Sequence, residues 1–357
     1  MTGAAGVLVL AIGADTVAAS PGWTPVRISC TTHNLPTLGG SYGNVTAAAA
    51  NGDAVGLADN TAGAAQPVLW RGGEAQWIPT GFAGSVPSGV NAHGDVVGNS
   101  PDGENTFGWF WSGHRTVRLK GIRLKRLGAL APLPAAISNG DTIAGALETT
   151  EGLPDEGDNT PGISENEQAA VWRSPTSRPQ VLSPLPGDQG AHAFAVAAGG
   201  QAGGVSEGSK FRPVIWDRAG KPHALPGLGG GYGIVRAFGP GGIAVGDVVA
   251  TDGTDHPVMW DAKGRLTDLG LPAGSRTAHA TAVLPSGVVV GTAEIPARGG
   301  GVLSQAVRWR VTGQPQLLAG QQGLEQTEVV GTAAQAAAGY RTDTKGGRHP
   351  VMWRCWR

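Results

Sequence analysis

The chain has 357 residues, a formal net charge of -1, 15% charged residues, and 60 Gly, 25 Pro, 11 Trp and 2 Cys. With 26 Lys+Arg set against 27 Asp+Glu there is no basic field for a nucleic-acid partner, and no internal run of 18 apolar residues can span a bilayer. Gly and Pro cost about 1 and about 3 kcal/mol in a helix interior, while 40% apolar content can fill a core, which leaves a turn-rich, all-β protein.

The N-terminus reads as an export segment over residues 1–22. Gly3 to Ala14 is apolar and small, and Val17-Ala18-Ala19 places small side chains before Ser20-Pro21-Gly22, as a signal peptidase requires. No Lys or Arg precedes the run and Asp15 sits near its end, so a buried strand is the competing reading. A lipoprotein signal would need an aliphatic residue where Arg27 stands ahead of Cys30. Residues 23–357 are then expected to form one secreted, unanchored domain.

That domain is repetitive. Seven short apolar runs end in Trp70, Trp111, Trp172, Trp216, Trp260, Trp309 and Trp353, spaced by 41, 61, 44, 44, 49 and 44 residues. Before each lies a run closed by glycine: Gly56, Gly98, Gly145, Gly204, Gly246, Gly291 and Gly339. Each unit reads as four strands. A small alternating strand such as Val45 to Ala49 leads into a turn such as Asn51-Gly52 or Gly241-Gly242, which accepts positive φ. The glycine-closed strand follows, then the Trp strand, then a short fourth strand ending at an aliphatic such as Ile78, Leu119 or Leu269. About 45 residues per four-stranded unit, seven times over, predicts a seven-bladed β-propeller, in which stacking buries faces that one meander leaves exposed.

Units five and seven, with His256-Pro257-Val258-Met259-Trp260-Asp261, Thr267-Asp268-Leu269-Gly270 and His349-Pro350-Val351-Met352-Trp353, together with Leu35 to Gly40, resemble the HAF repeat family of extracellular bacterial proteins. The resemblance runs from about Leu35 to Trp353, with Pro-Val in place of the family's Ala-Phe. It implies an extracellular, propeller-like repeat protein and carries no catalytic residues across. WD or kelch propellers are the nearby alternative, given Trp216-Asp217 and Trp260-Asp261.

Few residues suggest chemistry. His256 and His349 stand four residues before their Trp, where other units hold Gln66, Phe107, Gln168, Arg212 and Gln305, and this repetition argues for a strand-start role. The histidines show no zinc spacing. The long segment between Gly145 and Trp172 carries Asp155, Glu156 and Asp158, oxygen ligands that suit calcium, without the EF-hand register; a solvated insertion is the plainer reading, and no other cofactor is implied. Arg115, Arg118, Lys120, Arg123, Lys125 and Arg126 form a basic run that alternates with aliphatics; its polar face reads as balancing the acidic segment beside it or as a solvated outer strand, with an anionic polymer at the cell surface as the alternative. Gly229 to Gly233 echoes Gly39 to Gly43 and reads as an inter-blade turn, not a phosphate cradle. The innermost strands, Val45 to Ala50, Ala193 to Ala198 and Ala278 to Val283, are small and poor material for acid–base work.

After Trp353 only four residues remain, so the seventh unit lacks its fourth strand. The segment Thr24 to Leu35 is available to supply it, which predicts ring closure by the N-terminal strand and brings Cys30 and Cys355 together as a disulfide. The expected function is a secreted, monomeric, non-catalytic propeller that binds an extracellular protein or glycan, without nucleic acid or membrane insertion. A carbohydrate hydrolase or lyase and a structural scaffold are the alternatives.

Overall fold

A computed structural model describes residues 27–28, 30–103, 105–124, 128–149, 167–297, 300–310, 314–318 and 326–354. The export segment, the calcium candidates Asp155, Glu156 and Asp158, and Cys355 lie outside them. The described residues form seven sheets, each with a core of four antiparallel strands, arranged as a seven-bladed β-propeller. Blade 1 comprises Gly39–Ala48, Ala54–Asn60, Ala65–Arg71 and Glu74–Trp77. The innermost strands of blades 2 to 7 are Val86–Val90, Gly128–Ile137, Gly190–Val196, Gly229–Phe238, Ala278–Val283 and Gln326–Ala333. Each innermost strand touches the next, and blade 7 returns to blade 1, so the ring is closed.

Closure follows the predicted route. Thr31–Asn34 pairs antiparallel with Arg348–Arg354 and becomes the outer strand of blade 7, with Thr31 opposite Arg354. Just ahead of it, Arg27–Ile28 pairs parallel with Gln316–Leu318 of blade 6. The N-terminal segment therefore clips two blades.

The tryptophans explain how neighbouring blades hold together. Trp70, Trp172, Trp216, Trp260, Trp309 and Trp353 are all but fully buried. Five indole N–H groups donate to a carbonyl of the segment entering their blade: Trp70 to Pro36, Trp172 to Lys120, Trp216 to Ser183, Trp260 to Pro226 and Trp309 to Gly270, at 2.7–2.9 Å. One side chain thus fills the widening gap between blades and ties down the connection. Blade 2 differs: Trp109 is fully buried beside the landmark Trp111, and its indole nitrogen has no hydrogen-bond partner.

The landmark glycines have one cause. In every blade the innermost strand bulges by one residue, at Thr46, Ser88, Ala135, Phe194, Arg236, Thr281 and Val330. Beside each bulge an inner-strand carbonyl presses on the glycine of the second strand. A Cβ on Gly56, Gly98, Gly145, Gly204, Gly246, Gly291 or Gly339 would overlap the carbonyl oxygen of Asn44, Val86, Leu133, His192, Ile234, His279 or Glu328, respectively.

Two expectations need correction. The Gly-rich echo is not an inter-blade turn: Gly39–Ala48 and Gly229–Phe238 are innermost strands, and the extra glycines lie where their pairing shifts register. Nor is the basic run one outer strand. Thr116–Arg118 closes blade 2, whereas Ile122–Leu124 adds to the innermost strand of blade 3. Arg118 pairs with Asp102 at 2.5 Å and lies 3.8 Å from the Phe107 ring centroid, so its charge is met within its own blade.

Candidate functional site

Two side-chain positions recur where each blade meets the next. One lies five residues before a blade's Trp. The other is the inner-strand residue of the following blade whose carbonyl presses on the landmark glycine. In blades 3 and 4 these are Glu167 and His192, in 5 and 6 Asp255 and His279, in 6 and 7 Ser304 and Glu328, and in 7 and 1 Arg348 and Asn44. The innermost strands are thus not the inert surface their small residues suggest. They carry Arg236, His279 and Glu328 on three consecutive blades.

The densest group joins blades 5 and 6. Asp247 is fully buried and ion-paired with Arg236. His279 Nδ1 sits 3.4 Å from Asp247 Oδ1 and 3.6 Å from Asp255 Oδ2, and this nitrogen and Asp255 Oδ1 are buried without a hydrogen bond. Burial alone would raise the Asp247 carboxyl, but Arg236 and His279 hold it below the usual range. Burial, then the charge of Asp247, pushes Asp255 up to about 6. His279 is raised because Asp247 outweighs the effect of its burial. Asp247, Asp255 and His279 bring one ligand atom each within 4.8 Å of the others. That donor set suits a divalent cation, yet the guanidinium already bound to Asp247 opposes one.

The pair between blades 3 and 4 is neater. His192 Nδ1 and Glu167 Oε2 lie 2.8 Å apart, both nearly buried, and the imidazole stacks on Phe194 at 4.1 Å. Burial and the Glu167 charge raise Glu148 alongside.

Two clefts open at the 6–7 and 7–1 junctions. The one between blades 6 and 7 holds about 350 Å³ and is lined by Arg236, His279, Thr281, Glu294, Ser304 and Glu328. Tyr340 donates its hydroxyl to Glu328; burial, then this bond, pushes Tyr340 up to about 12. The other cleft, between blades 7 and 1, holds about 380 Å³ and is lined by Tyr42, Asn44, Asp59, Lys345 and Arg348. Tyr42 is 42% exposed and meets His349 edge-on at 5.6 Å. The Arg348 guanidinium lies 4.7 Å from the Tyr340 ring centroid.

The strand-start histidines behave as structural groups. His256 contacts Thr254 and Asp268 at 2.8 Å, and His349 lies 3.0 Å from Asp343. The buried group was missed by sequence reasoning, although Asp247 left a signal. It follows landmark Gly246 directly, where other units hold Leu57, Asn99, Ala146, Val205, Thr292 and Tyr340. A carboxylate among neutral side chains at a repeated position marks a departure from the scaffold.

No protein-family model matches the chain, and no curated protein does. Among solved structures it is similar to a puromycin hydrolase (TM-score 0.56, 14% identity, 89% of this chain and 54% of that one). It is also similar to a post-proline cleaving enzyme from Rickettsia typhi (TM-score 0.53, 10% identity, 87% and 51%). A third neighbour is YCF48 bound to D1 peptide (TM-score 0.50, 10% identity, 94% and 98%). The chain spans about half the length of the first two. At such identities the likeness is one of fold alone, and the fold is the propeller.

Proposed function

We propose that this chain is an exported binding propeller, of the extracellular HAF-repeat kind its units resemble, which seats a polar ligand in clefts between blades. The carrying observation is that two clefts, of about 350 and about 380 Å³, open at repeat-equivalent junctions of a closed ring and are lined by charged, hydroxyl and amide groups. Panels of glycans, cell-wall fragments and secreted proteins, offered to the purified chain, test the reading. Saturable binding weakened at least tenfold by Glu328→Ala or Asn44→Ala supports it. No saturable binding across all three panels overturns it. Export is checked by fractionating the native host, where recovery from the cytosol alone would refute it.

A carbohydrate hydrolase or lyase has one observation in its favour: Asp255, raised to about 6, stands beside His279. Turnover of a polysaccharide that Asp255→Asn abolishes would establish that reading.

A further inference from the structure

We infer that the cleft between blades 7 and 1 binds an acidic glycan, a polymer with uronic-acid residues; the inference rests on the binding reading above and names its ligand. Three features carry it. The first is an aromatic platform, since Tyr42 is one of the few large apolar side chains left exposed among the described residues. A phenol ring of this kind offers an apolar face to the C–H side of a sugar and a hydroxyl to its rim.

The second is charge. Lys345 and Arg348 are both exposed, and among the described residues neither forms an ion pair. Arg348 has its position set by the Tyr340 ring, which leaves the guanidinium edge to take a carboxylate through two parallel N–H donors. Asp343, in the same turn as Lys345, is engaged: its Oδ1 accepts from the Lys345 and Gly347 amides and its Oδ2 faces His349.

The third is hydroxyl recognition. Asn44 and Asp59 line the same cleft, and Asp59 accepts only a 3.3 Å bond from the Tyr42 amide. An amide and a carboxylate together meet the donors and acceptors of ring hydroxyls. The cleft between blades 6 and 7 is the built-in contrast. It occupies the equivalent junction but has no exposed phenol, and its cations Arg236 and His279 face Asp247, which leaves Glu294 and Glu328 to oppose an acidic sugar.

Titration calorimetry on the full chain, using an oligogalacturonate, the matching neutral oligogalactan and acetate alone, tests this. The acidic oligomer is expected to bind at least tenfold tighter than the neutral one, with acetate undetectable at the same concentrations. Tyr42→Ala, Arg348→Gln and Lys345→Gln each replace an exposed side chain, so the fold should survive, as melting temperature verifies. The first two should each weaken binding at least tenfold and the third about threefold, while Lys263→Gln, which replaces an exposed cation outside both clefts, leaves it unchanged. Equal affinity for the neutral oligomer overturns the inference, as does binding that survives Tyr42→Ala with Arg348→Gln. Absence of uronate binding while another ligand is retained overturns it and leaves the binding reading standing; no binding by any panel member removes both.

Discussion

Gly246 and Gly253 sit seven residues apart in blade 5 and are glycine for different reasons. Gly246 has ordinary backbone angles but lies against the Ile234 carbonyl, whereas Gly253 has φ +77° with nothing within 4 Å of a would-be Cβ. Gly246→Ala must push two strands apart and is expected to cost more than about 3 kcal/mol. Gly253→Ala meets only left-handed strain, about 1 kcal/mol. Chemical denaturation of the pair checks the difference, and equal losses would refute the crowding account. A second residue-scale expectation concerns protons. The folded carboxyl of Asp255 titrates at about 6, above the ~3.9 of an unfolded aspartate. The folded chain therefore binds that proton more tightly, and stability falls as pH rises from about 4 through about 6. His279, also raised, adds stability that is complete below its unfolded value near 6.5 and is lost as pH rises through its folded one. Thermal stability should decline between pH 4 and pH 8, and Asp255→Asn should flatten the lower part of the decline. An unchanged slope in that variant would rule the linkage out.

The strand and its connection form the next level. Trp309 both packs between blades and donates to Gly270, while Trp109 packs with an indole nitrogen that bonds to nothing. Trp309→Phe should therefore cost about 1 kcal/mol more than Trp109→Phe, because only the former orphans a carbonyl. Parallel urea titrations of the two variants measure this, and the reverse order would count against the bond. Turns show the same economy. Asp217, Asp261 and Asp343 each accept two backbone amides of the turn they open, and each turn is completed by a glycine with positive φ: Gly220, Gly264 and Gly346. The Trp and Gly landmarks were legible in the sequence because every blade poses the same steric problem and answers it with the same residue in the same strand. The charged group was not legible, since Arg236, Asp247, Asp255 and His279 meet only after blades 5 and 6 stack. Sequence spacing gives a strand's register but not its neighbour across a blade junction. The small residues of Ala278–Val283 drew attention away from His279 among them.

At the scale of the ring, the N-terminal segment completes blade 7 and clips blade 6. Thr31 faces Arg354 at the end of the described pairing, and no cysteine is free among the described residues; Cys30 and Cys355 adjoin these two residues in sequence. We propose the disulfide between them. It would close a loop of more than 300 residues, worth up to ~5 kcal/mol in the chain-entropy model. Non-reducing peptide mapping should recover both cysteines in one cross-linked pair, and reduction should lower the melting temperature. Recovery of two free thiols from exported protein would eliminate the bond. The seven bulges have a different reach. Each turns out one half-buried side chain on an innermost strand: a hydroxyl at Thr46, Ser88 and Thr281, a methyl at Ala135, an aromatic ring at Phe194, a guanidinium at Arg236 and an isopropyl group at Val330. The backbone takes the same course under all seven, since its demands fall on the glycines opposite. Thr46 and Ser88 donate to the Pro87 and Pro134 carbonyls of the next blade and Arg236 neutralises Asp247, so those three are set in place; Ala135 and Val330 work like movable type in a fixed frame, where a library randomised at these codons alone can change the face of the ring without recasting it.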